Sequence, residues 1–208
     1  VKLCRIYWMP LYAYARRRGH SVHEAQDLTQ GFFAHVLENR GLMRVAPVKG
    51  RFRSFLLVSL KHFLDNEWHK QRTLKRGGGK TFISWDELEP RAREAIEPSD
   101  QLTPEKLFDR EWALTLLERV MKQLERECVT ARKGELFYRL KEYLTGDGGG
   151  TPYQEIATEL KMTEGAVKVA VHRLRRRFGE LVREQIERTV EDPADIDDEI
   201  RELFAALA

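Results

Sequence analysis

Lys168, His172, Arg173 and Arg176 recur at the spacing of one helical face. Across 161–178 the cations Lys161, Lys168, Arg173, Arg175, Arg176 and Arg177 stand against Glu164 alone, a net charge of +5. Such a face suits a polyanion. Its guanidinium and ammonium groups neutralise phosphates, while the N-terminal end of a helix laid in a major groove reaches base edges. A solvated basic helix in an ordinary bundle is the plainer account of the same residues. Catalytic chemistry is not indicated. His20, His23 and Glu24 lie close together but lack HExxH spacing and a third ligand. The glycine-rich 146–150 has no preceding strand and no following Gly-Lys-Ser/Thr, so it is not a phosphate loop. No Ser/His/Asp or Cys/His set has a supporting motif. No catalytic residue, metal or cofactor is therefore expected.

The basic face must be positioned by 151–178, TPYQEIATELKMTEGAVKVAVHRLRRRF. Ile156, Ala157 and Leu160 recur at one-turn spacing, as do Val167, Val171 and Leu174, so two short amphipathic helices are predicted back to back. Thr151 is placed as N-cap of the first, with Pro152 in its first turn, where a missing N–H is harmless. Thr163 is placed as N-cap of the second, after a break of about three residues around Lys161 and Met162. Helices joined so tightly cross steeply, which is the helix-turn-helix arrangement, and small Ala157 lies at the closest approach.

A second basic stretch occupies 49–80, where nine cations face Asp65 and Glu67, a net charge of +7. Phe52, Phe55, Phe63 and Trp68 are interleaved with them. Cations track a phosphate backbone while aromatic faces stack on unpaired bases, a combination suited to single-stranded nucleic acid. Phe52, Phe55 and Phe63 keep helical spacing and read as core; Trp68, among polar neighbours, is the stacking candidate, with Lys61 and Arg72 on the same helix.

Upstream, 2–18 reads as a helix with Leu3, Ile6, Tyr7, Leu11 and Tyr14 on one side, stopped by Gly19 after three arginines. Ser21 and Glu24 form a capping box opening a helix at 22–39. Its inward set is Val22, Ala25, Leu28, Phe32, Val36 and Leu37, and its outward set is Gln26, Asp27, Gln30 and Glu38. A loop at 41–50 and a third helix at 51–76 follow. Residues 81–111 carry nine acids against four bases, and Pro90, Pro98 and Pro104 forbid one continuous helix, so this is a linker by composition. Thr103 and Pro104 then start a helix to about Cys128, and a shorter one runs through Leu136, Phe137, Leu140 and Leu144. Beyond the basic face, Val182, Ile186 and Val190 extend the second helix.

In order along the chain, AQDLTQGFFAHVLE, GRFRSFLLVSLKHFLDNEWHKQR and YQEIATELKMTEGAVKVAVHRLRRRF resemble the bacterial sigma factors of the extracytoplasmic-function type. The resemblance covers about 30–75 and 105–185. It implies a first domain that holds the polymerase clamp and opens the promoter −10 element, and a helix-turn-helix that reads the −35 element. It places Asp27, Gln30 and Phe33 against the clamp of the largest polymerase subunit. Thr163, Lys168, His172, Arg173 and Arg176 would then serve the −35 DNA, and Lys61, Trp68 and Arg72 the opened strand. The implied partners are core RNA polymerase, promoter DNA and an anti-sigma factor or other regulator. The acidic linker would thread the RNA exit path as an RNA mimic. This chain departs from its relatives at Phe55, His62 and Asn66, commonly Trp, Asn and Asp, and at Val169 and Ala170, commonly Ser and Arg.

The 208 residues carry a net charge of +3, with 42% hydrophobic and 33% charged residues, values of a soluble protein with real cores. No run approaches the ~18 apolar residues of a membrane span. No signal-peptide pattern is present, and a chain opening at Val1 without a methionine suggests a trimmed natural N-terminus. Cys4 and Cys128 are isolated and read as buried thiols in a reducing cytoplasm. The tail 189–208 has a net charge of −6, yet Ile196, Ile200, Leu203, Phe204 and Leu207 fall at helical spacing. It is expected either to pack on the second domain or to cover a basic or polymerase-binding face. The expected architecture is all-α, with two helical domains joined by an acidic linker, the second containing a helix-turn-helix. The segments are 1–76, the linker 77–103, 104–190, and the acidic helix at 191–208. The expected function is that of a sigma factor, not an enzyme. A stand-alone helix-turn-helix regulator, or a polymerase-binding adaptor that does not read DNA, is the alternative.

Overall fold

The computed structural model describes residues 2–38, 52–73, 102–144 and 151–208. Among them every regular element is a helix, and the chain is all-α. The helices are α1 (Lys2–Arg17), α2 (Val22–Glu38), α3 (Phe52–Thr73), α4 (Pro104–Thr130), α5 (Gly134–Leu140), α6 (Tyr153–Glu159), α7 (Glu164–Glu187) and α8 (Ile196–Ala205), with 3-10 turns at Lys141–Leu144 and Pro193–Asp195. The chain divides into one compact unit of Val1–Thr115 with Thr189–Ala208 and another of Leu116–Arg188. That division falls within α4. The expected loop at 41–50, most of the linker and the glycine run at 146–150 lie outside the described residues.

In the first unit, local chemistry sets the helix ends. Gly19 adopts φ +93°, a left-handed value that few side chains tolerate, and the His20 N–H donates back to Ala15 O at 3.4 Å. The capping box forms: the Ser21 N–H donates to Glu24 Oε2 at 2.8 Å, and the Glu24 N–H donates to Ser21 Oγ at 3.3 Å. The bond from the Ser21 backbone holds the Glu24 carboxyl below its ordinary range. Tyr12, Ala15 and Ala25 join α1 to α2, and Phe32 meets Phe63 of α3 edge-on at 5.7 Å. Val22 and Leu37, expected inward, are 42% and 59% exposed. The buried stripe of α2 is narrower, Ala25, Thr29, Phe32, Phe33 and Val36, and Leu37 points about 100° away from Val36. Thr29 enters the stripe without penalty because its hydroxyl donates to Ala25 O at 2.7 Å.

The centre of this unit holds a charge. Arg53 is only 6% exposed, since it follows the α3 stripe of Leu56, Leu60 and Leu64. Its guanidinium lies 4.4 Å from the centroid of the Trp112 ring and pairs with Asp109, with Glu202, and with Glu199 at 3.3 Å. Burial pushes the Asp109 carboxyl up even as Arg53 draws it down. The start of α4 and the whole of α8 are thereby tied to α3. Ile196 and Leu203 of α8 are buried, the Asp192 side chain accepts from the Ala194 N–H at 2.8 Å, and the Phe52 N–H donates to Thr189 O at 3.2 Å. The acidic tail is therefore a helix of the first unit, not an addition to the second.

In the second unit, Leu116, Val120 and Leu124 bury one side of α4. That helix ends with Arg132 at φ +57° and the Lys133 N–H donating to Cys128 O at 2.8 Å. Cys128 is a free, buried thiol, and burial pushes its pKa up; the Cys4 side chain is outside the described residues. Leu140, Tyr143, Ile156, Ala157, Val167 and Val171 form one core cluster. Thr151 does not cap α6. Pro152 holds the N-cap position without a side-chain bond, and Thr151 O instead accepts from the Tyr143 hydroxyl.

Candidate nucleic-acid interface

The basic face is set by the turn Leu160–Thr163. Lys161 adopts φ +52°, the Lys161 N–H donates to Thr158 O at 3.3 Å, and the Met162 N–H donates to Ala157 O at 2.8 Å. These two bonds make the helix-ending Schellman pattern, here with a lysine at the left-handed position usually held by glycine. Met162 then packs on the core beside Ile156 and Ala157. Thr163 opens α7 as expected, its hydroxyl accepting from the Ala166 N–H at 3.2 Å. Val167 and Val171 are buried against α6, which turns the opposite side of α7 to solvent.

Lys168, His172, Arg173 and Arg176 are all exposed on that side. Lys168 pairs with Glu164 at 2.7 Å, and the hydrogen bond raises its pKa; Arg176 pairs with Glu180 at 3.0 Å. Both are exposed pairs within α7, screened by solvent and readily exchanged for a phosphate. His172 and Arg173 have no side-chain partner among the described residues. The rest of the basic run does something else. Arg175 donates to Tyr143 O at 2.9 Å. Arg177 donates twice to Glu127, at 2.8 and 2.9 Å, and also to Glu184 at 3.0 Å and Glu180 at 3.3 Å. The Glu127 bond leads in raising the Arg177 pKa and draws Glu127 down in turn. These two arginines fasten α7 inside the unit.

On α3 the candidates separate. Trp68 is 52% exposed. Lys61 is half-buried, with its ammonium 2.8 Å from Glu105 and 5.9 Å from the centroid of the Tyr14 ring. That bond to Glu105 raises its pKa. Arg72 lies within the helix, with its side chain outside the described residues. Arg53, counted among the phosphate-tracking cations by its charge alone, belongs to the core. The signal was available, because position 53 falls on the apolar stripe three residues before Leu56. On α2, Asp27 is exposed and Gln30 half-buried, whereas Phe33 is buried, its ring stacked on Trp8 at 5.8 Å with 8° between planes. Phe33 thus supports this face from beneath.

Among the described residues no group of His, Cys, Asp and Glu is placed to hold a metal ion, and no helix is long and apolar enough to cross a membrane. Comparison with protein-family models, with curated proteins and with solved structures finds no match for this chain.

Proposed function

We propose that this chain is a sigma factor of the extracytoplasmic-function type, which brings core RNA polymerase to promoters and opens the −10 element. The observation that carries the reading is the sorting of cations on α7. Arg175 and Arg177 are engaged inside the unit, while Lys168, His172 and Arg173 project from the N-terminal half. A recognition helix presents that half to base edges. In this reading α6 and α7 form the helix-turn-helix of a −35-reading domain. The first unit is the −10 domain, with Asp27 and Gln30 toward the polymerase clamp and Trp68 toward the opened strand. The order of the three sequence motifs supports the same assignment. Run-off transcription with core polymerase and a promoter library tests it. Promoter-specific initiation is expected; DNA retention without any polymerase-dependent start would favour a stand-alone regulator.

Two substitutions address the proposed contacts. Lys168→Ala and Arg173→Ala are each expected to weaken −35 binding on the order of ten-fold if they reach bases. A contact to phosphate alone gives instead a uniform loss across sequences and a salt slope shallower by about one. Unchanged affinity in both, with circular dichroism intact, would remove α7 from the interface. Trp68→Ala is expected to spare binding to core polymerase but reduce strand opening, since a lost base–aromatic stack costs ~1–3 kcal/mol. Permanganate footprinting reads this directly, and equal thymine reactivity in wild type and variant would assign Trp68 a structural role.

A further inference from the structure

The second unit contains a cavity of about 570 Å³, within the ~300–1,000 Å³ range of small-molecule sites. Its wall is formed by the end of α4, by α5 and by the first half of α7, with Leu124, Phe137, Met162 and Val169 among the apolar side chains facing it. Two cations, Lys133 and Arg173, also line it, and neither side chain has a partner among the described residues. The remaining charges there, Arg177 and Glu127, neutralise each other through paired hydrogen bonds. The lining therefore combines an apolar interior with an uncompensated positive charge of two groups.

From this we infer that the cavity is a binding site for a small amphipathic anion, an alkyl carboxylate in chemical class. The chain of such a ligand would displace water from the apolar wall, while its carboxylate would take charge-assisted hydrogen bonds from Lys133 and Arg173. Size and charge together favour this occupant over a protein segment. A protein partner would need roughly 800 Å² of its own surface covered, whereas a half-open pocket of this volume, with its two cations at the solvent-exposed rim, matches one chain and one head group. Arg173 is also a proposed DNA contact. Resting on the function proposed above, a bound anion would withdraw that guanidinium from the promoter and couple ligand level to DNA affinity.

The test is calorimetric titration of the full chain with decanoate below its micellar concentration, alongside decanol. Saturable decanoate binding is expected, with decanol at least ten-fold weaker. Lys133→Gln and Arg173→Gln should each weaken decanoate roughly ten-fold, and Ala166→Trp, which fills the cavity, should abolish binding. Equal uptake of decanol, or binding indifferent to all three substitutions, overturns the proposal. So does inert decanoate with saturation by an amphipathic helical peptide, which would make the cavity a protein-docking groove. Promoter affinity should fall as decanoate rises in wild type and much less in Lys133→Gln. Absence of ligand binding with run-off transcription intact defeats this inference alone. Ligand binding without promoter-specific transcription defeats the sigma assignment instead.

Discussion

Arg53→Ala is expected to destabilise the protein by about 3–5 kcal/mol, the cost of removing one partner from a buried ion pair. The guanidinium is 7% exposed and Glu199 is 2% exposed, so truncation leaves a carboxylate without its counter-charge in a site that water does not reach. It also removes the cation from the face of Trp112 and the link that holds α8 and the start of α4 to α3. Urea unfolding followed by tryptophan fluorescence measures the loss. Deleting 192–208 attacks the same cluster from its other side and should lower the melting temperature. The double replacement Arg53→Met with Glu199→Leu should recover much of the stability, because apolar groups of similar volume need no counter-charge. A loss below about 1 kcal/mol for Arg53→Ala would mean that the cluster orders the helices without stabilising them.

The second large effect is expected in the other unit. Ile156→Ala should cost about 2–5 kcal/mol, the range for truncating a fully buried aliphatic side chain whose cavity cannot collapse. Ile156 is 1% exposed, in one cluster with Ala157, Val167 and Val171 where α6 meets α7. Loosening that contact frees α7 to rotate, so under the proposed function its exposed face should lose affinity for promoter DNA although none of that face's own side chains is changed. Native-state hydrogen exchange should locate the loss in 116–188, with amides of α1 to α3 keeping their protection. Uniform loss of protection across both units would contradict a separate core. Retained promoter affinity at full destabilisation would show that the α6–α7 contact does not set the reading face.

Much of the local structure was legible because it is decided within one helical turn. The Ser21–Glu24 box, the left-handed Gly19, the Thr103 and Thr163 caps and the stripe Val167–Val171 each depend on neighbours three or four positions away. The exposed positions of Lys168, His172 and Arg173 follow from that stripe, since the side opposite a buried face is turned to water. Even the amphipathic helix of the tail could be read from its spacing. Charge was a poorer guide. By composition alone Arg53, Arg175 and Arg177 look like any other cation of a phosphate-binding run; its place on the apolar stripe marks Arg53, and only folding distinguishes the other two. The left-handed Lys161 likewise breaks no local rule that would announce it; the core position of Met162 requires it. Packing against α1 likewise buries Phe33 and leaves Asp27 at the surface. The reason is range: Arg177 meets Glu127 across 50 positions and Arg53 meets Glu202 across 149, and a partner so far along the chain cannot be named from the residues beside either cation.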